Sequence, residues 1–263
     1  MLLAIDVGNT NIVVGIFDGQ RLAHSWRLQT LRDRTADELG IQLLHLFEHQ
    51  HLDIAAIEGI VVASVVPPLT GTFVDMGTRY FGRTALIVDA SVDAGMPILY
   101  DTPGDVGADR IVNGIAAYEG HGRAAQTPLI VVDFGTATTF DAISGRGEYL
   151  GGVICPGLQI SADALFQRAA RLPRVEVKKP STVIGRTTVG AMQSGLYYGH
   201  VAMIEGIVGR MRVELGGANA PEAVGCIATG GMAGVIGSET NIFDVIDPDL
   251  TLRGLRLVWD RTR

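Results

Sequence analysis

Asp109 and Arg110 stand side by side in the Gly107–Arg110 stretch, GADR, at the expected start of a helix. A carboxylate there can take a proton from an attacking hydroxyl, and the adjoining guanidinium can grip an anionic substrate. The positive end of the helix should favour the ionised carboxylate and keep Asp109 a competent base near neutral pH. The same pair also has a structural reading, in which Asp109 caps the helix and Arg110 pairs with a nearby acid. A second chemistry lies in two loops far apart in the chain. In Ala4–Phe17, AIDVGNTNIVVGIF, an apolar run delivers Asp6, then Gly8, Asn9 and Thr10. In Leu129–Ile143, LIVVDFGTATTFDAI, another delivers Asp133, then Gly135 and Thr136. Small residues let the backbone approach a ligand, and successive N–H groups can cradle phosphate oxygens. The carboxylates would repel a phosphate unless a cation sat between them, so two acidic loops point to metal-bound nucleotide. One copy alone reads equally well as an ordinary β-hairpin.

Phosphoryl transfer needs little more than positioned phosphates, a divalent cation and an acid that orients the attacking hydroxyl. Asp6 is the candidate for organising magnesium, through water, because that ion keeps much of its hydration shell. Thr10 and Thr136 would contact phosphates. Thr229-Gly230-Gly231, after a strand, could let a flat purine lie against backbone, although strand-to-helix turns use glycine anyway. Other reactive residue types read as structure. His45 and His49 lie four apart on one expected helix but have no third ligand. Ser64 lacks the glycines of a nucleophile elbow, and Cys155 and Cys226 sit singly in apolar segments as small core residues.

The elements that must hold these residues repeat as well. Each acidic loop is followed by an alternating strand, a Gly-containing hairpin turn (Asp18-Gly19; Gly145 to Gly147) and a third strand (Arg21 to Leu28; Tyr149 to Ile154). Two such meanders predict two similar halves facing across a cleft, with residues 1–119 as one domain and 120–263 as the other. Thr35 to Glu38 reads as a capping box opening a helix to about Gln50. Glu58–Val66 is a buried strand stopped by Pro67-Pro68, a helix with Leu69, Phe73 and Met76 follows, and Thr84–Val88 is a strand. This is α/β alternation. Pro97–Arg110 is irregular, Ile111–Glu119 helical, and 121–127 the crossover between halves. Beyond it come a helix over Leu158–Arg171, a basic loop (Pro173 to Pro180), and a long helix from Thr187–Thr188 whose Gly190, Ser194, Gly195 and Gly199 allow close packing. Cys226–Ala228 is a strand, and the Gly254–Trp259 tail reads as a short strand or ordered extension.

A net charge of −7 argues against a nucleic-acid coat. The chain's two lysines, Lys178 and Lys179, follow no Gly-rich loop, which excludes a Walker-type phosphate loop. No apolar run reaches the roughly 18 residues that span a bilayer, and Asp6 interrupts the first run too early for a signal peptide. The expectation is a cytoplasmic protein that binds neither nucleic acid nor membrane.

At these motifs the chain closely resembles the type III pantothenate kinases of the acetate-kinase/hexokinase/actin-like superfamily. The matching stretches are DVGNTNIV (Asp6–Val13), GADR (Gly107–Arg110), DFGTATTFD (Asp133–Asp141), IGRTT (Ile184–Thr188) and TGG (Thr229–Gly231), in family order over nearly the whole chain. The resemblance implies a duplicated, ribonuclease H-like two-domain α/β fold with the active site in the interdomain cleft. It implies transfer of the ATP γ-phosphate to the primary hydroxyl of pantothenate, opening coenzyme A biosynthesis. By motif matching Asp109 is the general base. Tyr100, Gly107, Ala108, Asp109, Arg110 and Thr188 hold pantothenate, and Asp6, Val7, Gly8, Asn9, Thr10, Asn11, Ile12, Val13 and Thr136 bind ATP. Asp133 holds a monovalent cation, potassium or ammonium, required besides magnesium. A homodimer is implied, with the vitamin site near the subunit interface. Cys155 before Pro156 and Thr187 in IGRTT are modest departures that touch none of this chemistry. The competing readings are a catalytically silent ATP-binding relative, against which the intact Asp109–Arg110 pair argues, and a sugar kinase. A sugar site would need more polar contacts than Tyr100, Arg110 and Thr188 offer.

Overall fold

The two acidic strands share one pattern of burial. β1 (Leu2–Val7, LLAIDV) and β6 (Leu129–Phe134, LIVVDF) each bury four apolar residues, leave the Asp half-buried in fifth place and bury the sixth residue. A strand apolar on both faces must lie inside a sheet, and each does. The computed structural model describes residues 1–216 and 223–263, grouped as two units: Met1–Ala116 with Asp249–Arg263, and Ala117–Pro248.

In the first unit, β1 pairs antiparallel with β2 (Asn11–Asp18), which pairs antiparallel with β3 (Arg21–Gln29). On its other side β1 pairs parallel with β4 (Gly59–Ser64), followed by β5 (Ala85–Val88), giving the order β3-β2-β1-β4-β5. α1 (Ala36–His49) starts at the expected capping box: Thr35 accepts from the Glu38 N–H, and Glu38 accepts from the Thr35 N–H. α2 (Pro67–Phe81) has proline in its first turn and stops at Gly82, whose φ of 63° suits a residue without Cβ. Leu39, Leu43 and Phe47 of α1 and Leu69, Phe73 and Met76 of α2 pack in one core with Leu3, Ile5 and Val7 of β1. Each such side chain contributes about 1.5–3 kcal/mol by burial. α3 (Ala108–Ala117) runs on into a π-helical turn over Tyr118–Gly122, so the helix expected over Ile111–Glu119 begins earlier.

The second unit repeats the plan. β6 pairs antiparallel with β7 (Ala137–Ile143), and β7 with β8 (Tyr149–Pro156). α4 (Leu158–Arg168) and the long α5 (Thr188–Gly216) follow, then β9 (Gly225–Gly230) parallel to β6, α6 (Ala233–Gly237) and β10 (Val245–Ile246). The order is β10-β9-β6-β7-β8. Val201, Ile204 and Val208 of α5 join Ile130, Val132 and Phe140 in its core.

The chain then returns to the first unit as α7 (Leu250–Arg261), which packs on β1, β2, β4 and β5. This corrects two expectations. The Gly254–Trp259 tail is helix, because Leu252, Leu255 and Val258 recur at helical spacing and are buried together. The division at 119/120 also moves. The compact units part at Ala116/Ala117, ahead of the expected 121–127 crossover, and the second ends at Pro248 rather than at 263.

Candidate active site

In the first unit, β1 ends by delivering Asp6 and Val7 into the turn Gly8-Asn9-Thr10. The Gly8 N–H bonds the Asn11 carbonyl at 3.0 Å, which leaves Asn9 and Thr10 exposed at the tip. Asn11, Ile12 and Val13 return as the start of β2, with Ile12 fully buried. Beside this turn β4 ends at Ser64, in register with Val7, and the Val65 N–H donates to the Val7 carbonyl at 3.1 Å. Ser64 Oγ accepts from the Val66 N–H at 3.2 Å and from Thr70 Oγ1 at 3.0 Å, closing the bend into α2, which has no side-chain cap of its own. The strand-end serine is structural, as its surroundings in the sequence suggest.

Val65 also carries the GADR stretch. A Cβ on Gly107 would lie 3.6 Å from Val65 Cγ1 and 2.6 Å from Asp109 Oδ1, so only glycine leaves the carboxylate where it is. Gly107 opens α3 through its carbonyl, which accepts from the Arg110 and Ile111 N–H groups at 3.1 and 3.2 Å. Asp109 Oδ1 accepts the Arg110 N–H at 2.8 Å, Ala108 is buried, and Arg110 is 7% exposed. The structure thus brings Asp6–Thr10 and Gly107–Arg110 together at the carboxyl ends of β1 and β4. Tyr100 lies in the irregular segment leading there, 36% exposed.

At Asp109 burial acts against the helix terminus. Burial pushes its carboxyl above the ordinary range, against the lowering effects of the Arg110 N–H and guanidinium. Desolvation of the charged form outweighs the backbone N–H bonds and the neighbouring positive charge. A carboxyl raised in this way holds a proton more readily than an exposed aspartate does.

In the second unit, Asp133 stands opposite Thr229 on β9 and Thr139 on β7. Gly230, at φ +91°, backs onto it: a Cβ there would strike the Asp133 carboxylate and lie 2.6 Å from the Phe134 nitrogen. The Gly231 N–H donates to the Phe134 carbonyl at 3.1 Å, tying the TGG turn to the Asp133 strand. On the other side a Cβ at Gly157 would run into the Thr136 carbonyl. Three turns, Gly135-Thr136, Pro156-Gly157 and Gly230-Gly231, are thereby drawn together. Behind them Thr138 Oγ1 meets the buried His200 Nε2 at 3.1 Å, and burial lowers the His200 pKa, favouring the neutral ring.

A cavity of about 520 Å³ adjoins these turns, lined by Leu158, Gln159, Arg174 to Val177 and Met232. Leu158 follows Gly157 and Met232 follows Gly231, so the TGG turn and the start of α4 form its edge. The loop residues Arg174–Val177 escaped the sequence reading because an irregular segment has no periodicity to reveal its inward face. Thr188 is the exposed first residue of α5. Thr187, the departure noted in the motif, caps that helix by accepting the Gly190 N–H at 3.0 Å on Oγ1.

His45 and His49 are both exposed on α1, and among the described residues no three His, Cys, Asp or Glu side chains cluster to hold a metal. Asp6 alone fits a magnesium bound mostly through water and phosphate. Asp133, with backbone drawn close by Gly230, is an oxygen donor of the kind an alkali cation takes. Among the described residues no helix is long and apolar enough to cross a membrane.

A family model described as type III pantothenate kinase matches residues 2–210. Proteins named type III pantothenate kinase from Moorella thermoacetica and Myxococcus xanthus are 54% and 52% identical, over 99% of this chain and 99% and 98% of theirs. Among solved structures, a putative Baf family transcriptional activator from Campylobacter jejuni aligns with a TM-score of 0.58 at 18% identity, covering 98% of this chain and 97% of its own. An inorganic polyphosphate/ATP-glucomannokinase from an Arthrobacter strain aligns with a TM-score of 0.52 at 15% identity, again covering 98% and 97%. At these identities the two structures speak for the fold, an actin-like α/β architecture of two domains.

Proposed function

The chain belongs to the type III pantothenate kinase family, and we propose on that premise that it transfers the γ-phosphoryl group of ATP to the primary hydroxyl of pantothenate. The product is 4′-phosphopantothenate, the first intermediate committed to coenzyme A. The observation that carries this reading is the placement of Asp109, a carboxylate moved toward neutral pH by burial, beside the nearly buried Arg110. A silent nucleotide binder has no use for such a pair.

Arg110 holds the pantothenate carboxylate, with Tyr100, Gly107, Ala108 and Thr188 completing the vitamin site. Asp109 accepts the hydroxyl proton as the oxygen attacks the γ-phosphorus. The bond to the β-phosphate oxygen breaks and ADP leaves. The Asp6–Val13 turn and Thr136 hold the phosphates, and the cavity edged by the TGG turn takes the adenine. Asp6 would hold magnesium, which would neutralise phosphate charge. Asp133 would hold potassium or ammonium.

The active species is a cytoplasmic homodimer. Support for pairing comes from α5, where Ala191, Gly195, Gly199, Ala202 and Gly209 fall on one exposed face, with no atom within 4 Å of a Cβ built at Gly195, Gly199 or Gly209.

The test is an ADP-release assay with ATP, magnesium and pantothenate, run first in sodium and then in potassium. Turnover that requires both pantothenate and potassium is expected. ATP binding without turnover by a folded dimer would identify a silent relative, and turnover without pantothenate an ATPase.

A further inference from the structure

We propose that Arg32 is an additional nucleotide-binding residue, its guanidinium gripping phosphate oxygens of ATP at the Asp6–Thr10 turn. The inference rests on reading that turn as the nucleotide loop. After β3 the chain doubles back onto the turn. The Thr30 N–H donates to the Thr10 carbonyl at 3.0 Å, and Thr30 Oγ1 donates to the Gly8 carbonyl at 2.7 Å. These bonds fix the backbone two residues ahead of Arg32. Its side chain then reaches the tip of the turn, where Nη2 donates to Asn9 Oδ1 at 3.2 Å. Both residues are exposed.

The charges favour such a group beside the divalent cation. A triphosphate is polyanionic, yet the turn carries a single charged side chain, the carboxylate of Asp6, and the chain's two lysines lie elsewhere at 178 and 179. Arg32 is flanked by Asp33, which is also exposed, so the local field is not simply basic and the guanidinium must act by direct contact. A guanidinium has five N–H donors in a rigid fork, and the Asn9 bond occupies one of them. The others suit paired phosphate oxygens.

The test is calorimetric titration of the full chain with ATP, ADP and adenosine, alongside steady-state kinetics, for Arg32→Ala, Arg32→Lys, Asn9→Ala and Thr10→Ala. Arg32→Ala should weaken ATP by about tenfold, the scale of a lost charge-assisted contact. It should weaken ADP by no more than that, leave adenosine unchanged, and leave the pantothenate KM at its wild-type value. Arg32→Lys should recover part of the loss. The proposal is overturned if ATP binds Arg32→Ala normally while Thr10→Ala weakens it, and the nucleotide-loop reading then stands. It is equally overturned if Asn9→Ala reproduces the Arg32→Ala loss and the double variant is no worse, because Arg32 then only props Asn9. If none of the four variants alters ATP binding, the nucleotide-loop reading falls too.

Discussion

At Asp109 a proposed catalytic role and the stability of the fold pull in opposite directions. Burial raises its pKa, so the folded chain holds this proton more tightly than the unfolded chain does. The stability this confers is complete below the unfolded pKa of about 3.9 and is lost as pH rises through the raised folded value. Asp109→Asn removes an ionisable group from that site. Turnover should fall by roughly 10²–10⁴, the range for positioned acid–base groups. The melting temperature at pH 8 should nevertheless match or exceed that of the wild-type chain, and the difference should shrink toward pH 4. A variant clearly less stable at pH 8 would mean that the Arg110 contacts outweigh the burial of the charge. Near-wild-type turnover in a folded variant would remove Asp109 from the mechanism.

Between elements, glycines decide how closely the turns of the second unit approach. Gly230 combines a positive φ with a Cβ position already taken by the Asp133 carboxylate and the Phe134 backbone. Gly230→Ala should therefore cost about 1–3 kcal/mol in a urea melt and raise the potassium concentration needed for half-maximal turnover, since Asp133 must move. Gly19 is the control. It has a φ of +58° at a hairpin tip with nothing within 4 Å, so alanine there should leave potassium activation unchanged. Equal effects at the two positions would show that backbone strain, not the crowding of Asp133, governs Gly230. The TGG motif is legible as a turn in the sequence. Its contact with a strand almost a hundred residues earlier is not, because a register between distant strands leaves no local signature.

Across the whole chain, α7 is the element whose loss should matter most to the first unit. Leu252, Leu255 and Val258 are buried there, a Cβ at Gly15 would lie 2.8 Å from Leu252 Cδ1, and Gly59 lacks a Cβ where the Trp259 ring packs. At about 1.5–3 kcal/mol for each buried side chain, against a usual net stability of about 5–15 kcal/mol, truncation after Pro248 should leave residues 1–116 unfolded. Limited proteolysis reads this directly: rapid cleavage of the first unit is expected, and resistance equal to that of the full chain would contradict the packing role. The sequence by itself determined the duplicated meander, the two acidic turns at strand ends, the helix capped at Thr35 and the GADR pair. All of these depend on period, turn chemistry and residues adjacent in the chain. Only the tertiary structure decided that the tail is a helix returning to the first sheet, that Asp109 is buried and its pKa raised, and that Arg174–Val177 line a cavity. Those outcomes depend on what distant segments exclude from water, and local sequence carries no record of that.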